Sequence, residues 1–113
     1  MLEKPVKLLF FLKQSKNQSD DRFIYLKITV DGLSNELSTK RKCKVSKWIP
    51  TAGKVKGNHP WAKELNNYLF SFKYLVFLAK QRLIESNVEI SAQTLKDVLT
   101  REFIKPKTNI RYF

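Results

Sequence analysis

A chain of 113 residues has the size of one domain, and its 42% hydrophobic residues, with eight Phe, four Tyr and two Trp, are enough to fill a small core. That composition excludes a disordered chain. The formal net charge of +12 points to a polyanionic partner, either nucleic acid or an acidic membrane surface.

A single cysteine, Cys43, rules out an internal disulfide and fits a reducing compartment. The apolar run Leu8 to Leu12 is too short for the hydrophobic region of a signal peptide. The longer apolar stretch from Leu65 to Leu83 is interrupted by Lys73 and Lys80, which argues against a membrane span. A soluble, cytoplasmic protein without a membrane or small-molecule partner is expected.

In chain order, Val6–Lys13 reads as a strand with Leu8, Phe10 and Leu12 on one face and Lys7, Leu9, Phe11 and Lys13 on the other. Gln14–Asp21 is a polar loop. Arg22–Val30 is the clearest strand, with Ile24, Leu26, Ile28 and Val30 alternating with Phe23, Tyr25, Lys27 and Thr29. Asp31-Gly32 supplies the two positive-φ positions of a tight type I′ hairpin turn. A two-residue turn sets Val30 opposite Leu33, Lys27 opposite Glu36, Leu26 opposite Leu37 and Tyr25 opposite Ser38. Lys27–Glu36 then becomes an opposite-charge pair and Leu26–Leu37 an apolar one. The same register would place Arg22 against Arg41, so a bulge or the end of pairing is expected near Lys40–Arg41.

Val45–Asn58, with Trp48, Pro50, Gly53 and Gly57, reads as a loop pinned by Trp48. Pro60 suits the first turn of a helix, which should run to about Ser86 and stop at Asn87. Trp61, Leu65, Leu69, Phe72, Val76, Ala79 and Leu83 fall within an arc of about 80°. This stripe should cover the aliphatic face of the sheet. A second ridge on the helix, Phe70, Phe77 and Ile84, should meet another element, either the C-terminal helix or a partner domain. Ser91 is a good N-cap for a last helix carrying Leu95, Val98, Leu99 and Phe103, with Ile90 and Leu95 forming a hydrophobic staple. Lys105-Pro106-Lys107 should end it, leaving Thr108–Phe113 as a linker. The expected fold is α+β: a three-stranded antiparallel sheet packed on one face by a long helix, followed by a short C-terminal helix.

Catalytic and metal chemistry is thin. His59 beside a proline reads as a helix-start residue, and His59 with Cys43 lacks the further ligands that zinc needs. Asp20-Asp21 is a solvated pair, and there is no glycine-rich phosphate loop. No catalytic residue, cofactor or metal is assigned. What stands out is charge: five basic residues fall within Lys40–Lys47, uninterrupted by an acid. They continue a sheet face that presents Lys7, Leu9, Phe11 and Lys13, then Phe23, Tyr25, Lys27 and Thr29, then Glu36, Ser38, Lys40 and Lys42. Lysines can pair with phosphates, while hydroxyls and Tyr25 can reach base edges or phosphates, so the face suits a DNA duplex. Lys44 and Lys47 should touch phosphates at its edge. Two other readings remain open. An RNA-binding domain would use Phe11, Phe23 and Tyr25 as stacking platforms, and a basic protein-interaction module would use the Phe70–Phe77–Ile84 ridge.

The order of strand, polar loop, strand Phe23–Val30, Asp31-Gly32, Leu37-Ser38-Thr39, Trp48 and long helix resembles the N-terminal arm-type DNA-binding domain of tyrosine recombinases, the integrases of phages and conjugative elements. The resemblance covers about residues 6–100 and is carried most specifically by the Ser38-Thr39 pair and the spacing to Trp48. It departs at Lys40-Arg41-Lys42-Cys43, where family members often have a glycine and an aliphatic residue. The resemblance implies sequence-specific binding of arm-type sites with the sheet in the major groove, in the service of DNA integration and recombination. It divides the chain into an arm-type domain at 1–88 and a short helix and linker at 89–113, leading towards core-binding and catalytic domains of the same chain. Tyr112 has no arginine and histidine partners and is not the recombinase nucleophile, so this piece would not itself cut DNA.

Overall fold

A strand that is aliphatic on one side only must bury that side, and the fold is arranged to do so. The structure, a computed structural model, describes residues 4–14, 16 and 20–103. Its central strand β2 (Asp21–Val30) lies between β1 (Val6–Leu12) and β3 (Leu33–Lys44) in an antiparallel sheet of order β1-β2-β3. Ile24, Leu26 and Ile28 are wholly buried and Val30 nearly so. β1 adds Phe10 to the same face, with Val6, Leu8 and Leu12 packed at its margin. Asp31 and Gly32 both take positive φ, 54° and 79°, as the type I′ turn requires. The hairpin register is the expected one, Val30 against Leu33, Lys27 against Glu36, Leu26 against Leu37 and Tyr25 against Ser38.

Helix α1 (Pro60–Glu85) covers this face. His59 caps it through Nδ1, which accepts from the Trp61 amide at 3.4 Å, and Pro60 occupies the first turn without losing a helical bond. Asn87, at φ 59°, provides the left-handed residue that ends it. The buried stripe is Ala62, Leu65, Leu69, Phe72, Val76, Ala79 and Leu83. Trp61 does not belong to it: the indole is 42% exposed beside His59, and the small Ala62 faces the core in its place. Phe72 joins helix to sheet, with its ring edge-on to Phe10 at 6.2 Å and to Tyr68 at 5.4 Å.

The segment expected to be a loop contains a small ribbon, β4 (Trp48–Ile49) paired with β5 (Lys54–Val55). Trp48 is buried, as its anchoring role requires. The ribbon is fixed to α1 by one side chain. Asn66 accepts from the Val55 amide through Oδ1 and donates to the Val55 carbonyl through Nδ2, both at 2.9 Å. Gly53, at φ 64°, brings the ribbon's turn against β1, where a Cβ would lie 3.4 Å from the Phe10 carbonyl oxygen.

Helix α2 (Ala92–Val98) starts at a capping box between Ser91 and Thr94 and continues into a wider π-type turn over Leu99–Phe103. Ala92, Leu95, Val98 and Leu99 are buried in the same core as the sheet and α1. The second ridge of α1 is not covered by α2: Phe70, Tyr74, Phe77 and Ile84 are 68%, 61%, 53% and 44% exposed. The expected linker after Lys105 lies outside the described residues. Among the described residues no helix is long and apolar enough to cross a membrane.

Asn66→Ala leaves the Val55 amide and carbonyl without their partner at a partly buried position. It is expected to destabilise the domain by about 2 kcal/mol in equilibrium denaturation, whereas the neighbouring exposed Asn67→Ala should change stability by no more than about 0.5 kcal/mol.

Candidate nucleic-acid interface

The face of the sheet turned away from α1 is set by the same alternation. Lys7 pairs with Thr29, Leu9 with Lys27 and Phe11 with Tyr25 across β1 and β2, so all six side chains share this face. From β3, Ser34, Glu36 and Ser38 join them opposite Thr29, Lys27 and Tyr25. None of the face's described side chains is buried.

The far end of β3 depends on a bulge at the expected place. Phe23 pairs with Lys42 but Tyr25 pairs with Ser38, so Ile24 alone stands opposite Thr39, Lys40 and Arg41. Two extra residues restore parity, so Lys42 returns to the open face while Cys43 turns into the core. The bulge is held from below. Thr39, wholly buried, donates its hydroxyl to the Ile24 carbonyl at 2.7 Å, inside the interrupted stretch of ladder. The Tyr68 hydroxyl of α1 donates to the Thr39 carbonyl at 2.9 Å, and burial pushes this phenol's pKa up. Arg41 turns towards the helix, bonded to Glu64 at 2.7 Å and lying 4.7 Å above the Tyr68 ring. Lys40, at the crest, takes φ 67°, a left-handed conformation natural to glycine, and its amide donates to the Ser38 hydroxyl at 3.0 Å. Lysine at this position, where the resemblance implies glycine, thus sits on a backbone conformation that suits glycine.

The basic run is therefore divided. Lys40 and Lys42 are exposed on the open side, the latter with its ammonium 4.8 Å above the Phe23 ring. Lys44 sits between Asp21 at 3.7 Å and Asp20 at 4.0 Å, so those acids partly neutralise it. Lys47 is exposed in the single 3₁₀ turn (Val45–Lys47) that follows. Cys43 is inert by position: burial pushes its thiol pKa up, and Asp21 and Asp20 add to the shift.

Two pairings differ from expectation. Glu36 stands opposite Lys27 as the register requires, but its ion pair is with Lys13, at 2.7 Å. The Lys13 side chain crosses the Tyr25 ring, 5.0 Å from its centre, to reach it, and the hydrogen bond it donates to Glu36 raises the lysine's pKa. Thr29 spends its hydroxyl on Ser34, at 2.7 Å. Of the lysines on this face and its edge, Lys7, Lys27, Lys40, Lys42 and Lys47 make no ion pair among the described residues and are the ones open to an anion. Among the described residues no group of three or more His, Cys, Asp or Glu could hold a metal.

Against known families, residues 10–96 match the model of the arm DNA-binding domain, well over half of the chain. The chain belongs to the arm DNA-binding domain family. No curated protein and no solved structure matches it. The arm domain is a DNA-binding module found in integrases and is not catalytic by itself. The matched span includes the open face from Phe11 onward, the whole bulge, the ribbon and α1.

Lys40→Gly separates fold from binding. Glycine relieves a left-handed residue at some cost in backbone entropy, so stability should stay equal or rise by about 1 kcal/mol, while duplex affinity falls. Thermal unfolding and fluorescence anisotropy on the same preparations measure the two effects.

Proposed function

We propose that this arm domain binds double-stranded DNA with the open face of its sheet in the major groove, reading arm-type sites for a tyrosine recombinase whose core-binding and catalytic domains follow in the same chain. The observation that carries the proposal is the composition and order of that face. Unpaired lysines surround a centre of hydroxyls and one acid, on a sheet whose other side is committed to the core. Lysines at the periphery suit phosphates, and short polar groups at the centre suit base edges. A two- or three-stranded ribbon has a width the major groove can admit.

The aromatics of this face support duplex binding better than base stacking. Phe11 and Tyr25 lie against each other, ring centres 6.1 Å apart, and Lys13 and Lys42 sit above Tyr25 and Phe23. The rings serve as a floor beneath the ammonium groups. A single-stranded partner would need them cleared for stacking.

If the five unpaired lysines each neutralise one phosphate, log Kd should rise with log salt with a slope of about 4.5. Lys27→Ala/Lys42→Ala should lower that slope by about 2, measured by anisotropy on a duplex selected from a randomised library. Lys63→Ala, on α1, should leave it unchanged. An unaltered slope in the double variant would show that a different face binds, and stronger competition by single-stranded RNA than by duplex DNA would favour an RNA-binding domain.

A further inference from the structure

Glu36 is an anomaly on the face just described. Asp21 shares this face but lies at its end against Lys44, whereas Glu36 stands at the centre opposite Lys27, where it would lie close to a polyanion. Its ion pair with Lys13 does not account for it as a stabilising element. The two side chains are 37% and 48% exposed, and exposed ion pairs add little to a fold. The pair is nonetheless held in a defined place. Lys13 is anchored through its own backbone, whose amide donates to the Phe23 carbonyl at 2.9 Å. Its stem crosses Tyr25, and Tyr25 is backed by Phe11. Lys13 bonds Oε1 of Glu36, and among the described residues no other donor reaches the carboxylate.

We propose that Lys13 and Glu36 form one reading unit for a single G·C base pair, a proposal that rests on the open face being the DNA-binding face. In the major groove, guanine presents O6 and N7 as acceptors and its cytosine presents N4–H₂ as a donor. O6 and N4 are hydrogen-bonded to each other, about 2.9 Å apart. The Lys13 ammonium and the Glu36 carboxylate stand 2.7 Å apart with the opposite polarity, donor beside acceptor. Set against the groove edge, the ammonium meets O6 and N7 while the carboxylate accepts from N4. No phosphate contact requires the acid, and the lysine neutralises its repulsion from the backbone. In the reversed C·G pair the two groups would have to exchange places, and an A·T pair offers adenine N6 to the carboxylate but no two adjacent acceptors to the ammonium, so it makes one contact fewer.

The test is selection from a randomised duplex library by wild type, Glu36→Ala, Lys13→Ala and the double variant. Wild type should prefer G·C at one position of its site. Each single variant should lose about tenfold of preference at that same position, the scale of one specific base contact. The double variant should lose no more than either single one, because the two groups act as a unit. Glu36→Gln should move the preference towards A·T, since glutamine pairs with adenine N6 and N7. Unchanged thermal unfolding will show that the losses are not failures of folding. Unchanged base preferences in the single variants, losses at two different positions, or uniformly tighter binding by Glu36→Ala would overturn the proposal. Lys27→Ala/Lys42→Ala measured alongside separates the causes. A flattened salt slope with unchanged preferences removes the reading unit alone, whereas an unflattened slope removes the face as well.

Discussion

The hydrogen bond from Thr39 to the carbonyl of Ile24 is the constraint on which the open face of the sheet depends. A bulge of two extra residues interrupts the β2–β3 ladder, and a buried carbonyl without a donor there would cost about 1–3 kcal/mol. The Thr39 hydroxyl supplies the donor at 2.7 Å from a side chain with no solvent exposure. With the bulge secured, the rest of β3 has only one consistent arrangement. Lys42 returns to the open face, Cys43 enters the core, and Lys40 is lifted onto the crest of the bulge before them. Without the bulge, Arg22 and Arg41 would face each other across the strands. With it, Arg22 pairs with Cys43 and Arg41 is released to Glu64 and the Tyr68 ring.

The same residues explain how the two layers communicate. Tyr68 of α1 touches the bulge twice, by a hydrogen bond to the Thr39 carbonyl and by its ring beneath Arg41. It also packs edge-on against Phe72, which packs against Phe10 of β1. A continuous line of contacts therefore runs from one edge strand through the helix to the other. The helix positions both outer strands at once, which is why a sheet with a solvent-exposed face can hold its side chains in a fixed pattern. Preorganisation of this kind matters in DNA recognition because each side chain ordered in advance removes a cost from binding.

Much of this was legible in the amino-acid sequence, for identifiable reasons. Asp31-Gly32 specifies a turn of known length, and turn length fixes register, so the pairs from Val30–Leu33 to Tyr25–Ser38 followed directly. The clash between Arg22 and Arg41 located the bulge. The helical stripe was readable because its spacing is periodic, with one exception: at the first turn, capping by His59 and the small size of Ala62 outweighed the hydrophobicity of Trp61. Other features could not be read. Cross-strand rules describe adjacent strands, so a lysine just beyond β1 reaching a glutamate on β3 across an intervening tyrosine had no signal beyond shared parity. Asn66 gave none either, because an amide inside a helix looks like any exposed polar residue until the ribbon it binds is in place. Thr39 was visible only as half of a Ser-Thr pair, although Ser38 turns to the open face and Thr39 carries the bulge.

The period of two along β2 separates stability from recognition. Ile24, Leu26, Ile28 and Val30 each contribute about 1.5–3 kcal/mol by burial, and none of them reaches the open face. Tyr25, Lys27 and Thr29 lie between them in sequence and take no part in that burial. Substitutions on the open side are therefore bounded in their effect on the fold by the small worth of exposed polar contacts. The bulge is the exception, since Thr39 faces inward and yet decides where Lys40 and Lys42 stand. Side chains at the centre of the open face can therefore change without disturbing the core, while the positions of Lys40 and Lys42 are tied to it through a single threonine.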